Sequence, residues 1–158
     1  MMEALLVPEE RVGVLTKEVL NRLEKETGVK IRIEGNGVML DGEGLGMLTA
    51  RNFVKAVGRG FSPERAWKLL GEDQTLEIIE LGGLNEKRQK EIKARIIGTG
   101  GRMRERMEEI TNTRISVYGK TVSVIGGWQE AHNAREAIEM IIKGAEIPTV
   151  NRWLEKVK

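Results

Sequence analysis

Residues 96–117 read IIGTGGRMRERMEEITNTRISV, and the succession of residue types in this stretch sets the fold expected for the chain. The apolar pair Ile96 and Ile97 is followed by Gly98, Thr99, Gly100 and Gly101. Met103, Met107 and Ile110 then recur at helical spacing, which predicts a helix over 102–110 with its methionines in the core. Ile115 and Val117 alternate with Ser116, as they would in a strand. Two helices therefore meet at a glycine-rich turn. Glycine admits backbone conformations and close approaches that side chains forbid. Its amides, next to a helix N-terminus, make a site for a phosphate oxygen. Arg102 and Arg104 lie just beyond the turn and Arg95 one turn before it, concentrating charge where a nucleic-acid backbone would pass.

Working outward, residues 74–81 (QTLEIIEL) predict a strand, and residues 85–97 predict a charged helix with Ile92, Ile96 and Leu84 on its apolar side. RISVY and TVSVI flank Gly119 and Lys120 and predict a hairpin. Residues 128–146 predict a long amphipathic helix that buries Ala131, Ala134, Ile138, Ile141 and Ile142. The order is β-α-α-β-β-α.

The chain repeats this plan. Residues 26–42 align without a gap to residues 110–126, at a spacing of 84. Thr27 matches Thr111, Lys30 matches Arg114, Ile31 matches Ile115, Gly35 matches Gly119, Val38 matches Val122 and Gly42 matches Gly126. So long a period predicts duplication of a whole domain, with units at 1–72 and 73–158. In the first, EALLV predicts a strand, Pro8 to about Thr27 a helical stretch, KIRIE and VMLDG a hairpin, and about 45–58 a helix. Each unit trails a short helix, opened near Pro63 or Pro148 and packed to the body through Trp67 or Trp153. The spacing projects the glycine turn onto Val14, Leu15, Thr16 and Lys17, none of them glycine. The first unit thus lacks the backbone clamp.

A G-x-x-G preceded by Ile-Ile, followed by a helix with Thr111 near its end and then an I-x-V strand, resembles the KH domain. That module clamps about four nucleotides of single strand at its GXXG loop. The resemblance implies an α+β fold of two tandem type I, eukaryotic-type KH domains, each with an extra C-terminal helix. The RNA contacts it implies are Arg95, Ile97, Gly98, Thr99, Gly100, Gly101, Arg102, Arg104, Met107, Ile115, Ser116 and Lys120. Of these, Ile97, Met107 and Ile115 would form an apolar floor for bases. The stretches GRGFSPERAWKLL (58–70), EDQTLEIIEL (72–81), RIIGTGGRMRERMEEIT (95–111) and ISVYGKTVSVIG (115–126) are more specifically similar to archaeal members of a two-KH family of small-subunit ribosome biogenesis. In eukaryotes that family is the partner of the Nob endonuclease. The likeness implies binding near the 3′ end of 16S ribosomal RNA, assistance to a separate endonuclease, and contact with the α subunit of the initiator-tRNA-carrying initiation factor. Members commonly keep a glycine-bearing loop in the first domain; VGVLTK departs from that and is shortened.

Composition narrows the alternatives. Residues 1–80 carry 11 basic and 14 acidic side chains, and residues 81–158 carry 15 and 10, which points to a negative partner for the second half. With no cysteine, disulfides and thiolate metal sites are excluded, and a reducing cytoplasm is expected. No apolar run approaches the ~20 residues of a membrane helix, and the first residues do not read as a signal peptide. No GxxxxGK[ST] exists, and the glycine turn follows a helix rather than a strand, against a nucleotide loop. His132, the only histidine, sits on a helix as a surface residue. No enzyme, cofactor or metal is expected. A protein-docking adaptor and a general KH protein of translation initiation stay open as other readings.

Overall fold

The spacing of 84 reappears in three dimensions. In the computed structural model, which describes all 158 residues, the strands β2 (Lys30–Glu34) and β5 (Arg114–Tyr118) begin and end 84 positions apart, as do the helices α3 (Gly44–Gly58) and α7 (Trp128–Ile142). The chain divides into two compact units, Met1–Glu72 and Asp73–Lys158. The first runs β1 (Met2–Leu6), α1 (Glu9–Val12), α2 (Lys17–Thr27), β2, β3 (Gly37–Asp41), α3 and α4 (Pro63–Ala66), with a 3-10 turn over Trp67–Leu70. The second runs β4 (Gln74–Glu80), α5 (Glu86–Ile97), a 3-10 turn over Thr99–Gly101, α6 (Arg102–Thr111), β5, β6 (Thr121–Gly127), α7 and α8 (Ile147–Val157).

Each unit has a three-stranded antiparallel sheet in which the last strand lies in the middle, in the orders β1-β3-β2 and β4-β6-β5. The hairpins share one register: Lys30 faces Asp41, and Arg114 faces Ile125. Repeated local contacts hold them. Gly28 and Asn112, both left-handed, end α2 and α6. Thr27 and Thr111 return their hydroxyls to the carbonyls of Leu23 and Met107 at 2.6 and 2.5 Å. Gly42 and Gly126 each pass so near a neighbouring side chain that a Cβ would meet Val29 Cγ2 at 2.7 Å or Thr113 Cγ2 at 2.6 Å.

The amide of the second residue in each edge strand donates to a carboxylate. Ile31 donates to Glu24 at 2.8 Å, and Ile115 to Glu108 at 2.7 Å. In the second unit Ile79, Val122, Val124, Ile115, Ile92, Ile96, Met107, Ile138 and Ile141 form one core. Burial of each such side chain contributes roughly 1.5–3 kcal/mol. Trp153 packs against that core. Trp67 stacks on Phe53 with ring centroids 4.3 Å apart, under the guanidinium of Arg22.

The structure departs from the sequence expectation in four places. The stretch from Pro8 to Thr27 is two helices, broken over residues 13–16. The long helix stops at Ile142 instead of running to 146, because Gly144 takes a φ of +96° and turns the chain. Ala137 is fully buried on it, whereas Ile142 is half-buried. Finally, the charge asymmetry shrinks at the structural boundary. Residues 1–72 carry 11 basic and 11 acidic side chains, and residues 73–158 carry 15 and 13. Attraction for a polyanion must therefore come from local placement, not from net charge.

Candidate nucleic-acid interface

Helix α5 closes on Gly98, whose φ of +73° and ψ of +175° lie in a region essentially confined to glycine. Gly100 and Gly101 also have positive φ, at +61° and +79°. Three of the four loop residues thus adopt conformations that side chains resist. The room is equally tight at the first of them, where a Cβ would stand 2.7 Å from Met103 Cβ and 2.9 Å from the Met103 amide. Gly98→Ala is expected to destabilise the protein by about 1–3 kcal/mol, through overpacking and strain together. Urea denaturation would measure the loss, and Gly100→Ala, which meets nothing within 4 Å, should cost less.

The loop feeds directly into α6. Its N-cap is Gly101, which brings no side chain to the first amides of the helix. Those donors and the positive end of the helix dipole are left facing the loop, an arrangement suited to a phosphate. Arg102 is exposed and makes no ion pair. Arg104 is different: its guanidinium donates to Glu108 at 2.9 Å and is 23% exposed. Lys120 is exposed in the β5–β6 turn, and Lys93 donates to the carbonyl of Gly119 there at 3.0 Å. Arg95 points elsewhere. Together with Arg88 it donates to carbonyls at the end of α7, Ile141 and Ala145 for Arg95 and Ile142 for Arg88. There it caps a negative helix end.

Between α6 and the edge strand β5 the apolar residues lie at different depths. Ile97 is 37% exposed, whereas Met107 and Ile115 are buried and back the groove from beneath. Ser116 is half-buried on β5. Sequence reasoning missed Glu108, 7% exposed, whose carboxylate touches both α6 and β5. The i,i+4 spacing of Arg104 and Glu108 was the available signal.

The corresponding place in the first unit is built differently. Helix α1 has 4 residues where α5 has 12. Leu15 is 4% exposed, in the core. Thr16 caps α2 with its own hydroxyl, accepting from the Val19 amide at 3.3 Å. A side chain thus occupies what the second unit leaves open. Along the strand side, Glu24, Lys30 and Ile31 line a cleft of about 540 Å³.

A family model for the second KH domain of PNO1-type proteins, described as a eukaryotic-type (type I) KH domain, matches residues 75–158. A KH domain-containing protein of Methanocaldococcus jannaschii is 35% identical over 98% of this chain and 73% of its own length. The pre-rRNA-processing protein PNO1 of Phaeosphaeria nodorum is 30% identical over 85% of this chain, which spans about half of that longer protein, 47%. Among solved structures, Dim2p of Pyrococcus horikoshii superposes with a TM-score of 0.92 at 37% identity, covering 99% of both chains. A complex named a/eIF2alpha-aDim2p-rRNA from the same organism gives the same score, covering 99% of this chain and 93% of the other.

Proposed function

Because the chain belongs to the PNO1-type KH family, we propose that it binds single-stranded ribosomal RNA and acts in ribosomal RNA processing, as a binding protein and not as the nuclease. The observation that carries this reading is the Gly98–Gly101 loop opening onto an α6 N-terminus with no side-chain cap, with the unpaired Arg102 beside it. The loop takes the RNA backbone, and about four bases lie along β5 with Ile97 beneath them. The first unit serves as a KH-type fold that has exchanged its loop for an internal cap and no longer grips phosphate. The target is the 3′ end of 16S ribosomal RNA, where the protein presents a cleavage site to a separate endonuclease. The processing role in the name of the fungal relative and the RNA in the Pyrococcus complex support this.

A second reading, contact with the α subunit of the initiation factor, is favoured by the other component of that complex. The two roles are compatible if they use different units.

Competition between a single-stranded fragment of the 16S 3′ end and the same fragment annealed to its complement tests the proposal. The single strand is expected to win. Its affinity should fall with salt at a slope on the order of −2 to −4 on log–log axes, because few phosphates are neutralised. Preference for the duplex would overturn the reading.

A further inference from the structure

Glu108 holds a position that the grip on RNA does not by itself explain. Its carboxylate is 7% exposed and accepts hydrogen bonds from two different elements: from Arg104 Nη1 at 2.9 Å, one turn back on α6, and from the Ile115 amide at 2.7 Å, on the edge strand β5. Arg104 in turn reaches the loop, since its Nη2 would stand 3.9 Å from a Cβ built on Gly101. One carboxylate therefore joins the loop side of the groove to the strand side. The first unit supplies a built-in comparison. Glu24 makes the same bond to the Ile31 amide, but the position matching Arg104 is Leu20. The bond to the strand is thus part of the shared fold, whereas the ion pair is found only where the glycine loop survives.

We infer that Glu108 is a positioning residue that restrains Arg104, keeping its charge from phosphate and lowering the electrostatic share of RNA affinity. The inference rests on RNA binding by the second unit. Its chemistry is direct. A guanidinium paired with a carboxylate inside a low-exposure contact is fixed in place and largely neutralised. The free cation at the loop is then Arg102, and binding depends on the shape of the loop and its amides rather than on bulk charge. Such a device favours recognition of a particular single strand over any polyanion, since phosphate attraction carries no sequence information.

The test uses Glu108→Gln, which keeps an oxygen to accept from the Ile115 amide and removes the charge that holds Arg104. Binding of the single-stranded fragment is measured from low to high salt for the wild type, Glu108→Gln, Arg104→Ala and the double variant. Melting temperatures are recorded alongside, with Glu24→Gln as the comparison that has no arginine partner. Released, Arg104 should add one phosphate contact. The slope should steepen by about 0.7, and affinity at 0.1 M salt should rise about fivefold. Both changes should vanish in the double variant, Arg104→Ala alone should leave the slope unchanged, and Glu24→Gln should alter neither. An unchanged slope with weaker binding would mean that Glu108 only braces the fold. A flattened slope in Arg104→Ala alone would mean that Arg104 already contacts phosphate; either result overturns the inference. Failure of the wild type to bind the fragment would instead remove the functional reading on which it rests.

Discussion

Placing Asp at both Thr99 and Gly100 is expected to weaken binding of the single-stranded fragment by ~2 kcal/mol or more, about thirtyfold. Both positions are exposed. Gly100 has a left-handed φ of +61° and meets nothing within 4 Å, and Asp is among the residues that tolerate that region. The fold should therefore survive while two negative charges stand on the phosphate path. The matching change in the first unit cannot include Leu15, because that side chain is in the core. Thr16, and Gly13 just before the projected loop, are exposed and take its place. Gly13 has ordinary helical angles, and Asp serves as well as Thr at a helix N-cap. Gly13→Asp with Thr16→Asp should leave RNA affinity within twofold, a margin set by the long-range, salt-screened effect of two added charges. Filter binding reads both pairs, and equal losses would show that the first unit grips RNA as well.

Leu15→Ala is the second large effect. Its projected counterpart in the loop of the second unit is Thr99, an exposed residue. Truncating a buried leucine costs about 2–5 kcal/mol, whereas Thr99→Ala should change stability by less than about 0.5 kcal/mol. Chemical denaturation of the two variants compares them. Equal stabilities would mean that the 13–16 segment is a loose connection and not a plug seated in the core.

The sequence carried the hairpins and the helices α3 and α7 because those segments begin at matching positions in the two units, so that one spacing aligned them. It also carried the glycine loop, whose backbone demands leave a mark in residue type. The break between α1 and α2 left only a faint one, because Val12, Leu15, Val19 and Leu23 keep helical spacing straight through it. Periodicity reports which residues share a face, not whether the backbone between them stays helical. The local signals were Gly13 as a stop and Thr16 as a cap. The direction of Arg95 is a different kind of miss. Spacing puts it one turn before the loop, but its long side chain is claimed by carbonyls of a helix some 46 residues away in the chain. The end of that helix was overrun in the sequence reading, although Lys143 and Gly144 form an ordinary stop. The tie between Arg104 and Glu108 could be seen as a spacing, whereas its third partner, the Ile115 amide, belongs to tertiary structure.

The carboxylates of Glu24 and Glu108 also bear on how the protein behaves when crowded. The strands β2 and β5 end their sheets, and an open sheet edge is a template on which another chain can polymerise. Each of these edges starts with an exposed cation, Lys30 or Arg114, and its next amide is already donated to a glutamate of the same unit. A foreign strand arriving there would meet a charge and then a donor that is no longer on offer. The same stopper stands in both halves, so each unit closes this edge to fibre-like stacking with a carboxylate of its own, whether or not it carries the glycine loop.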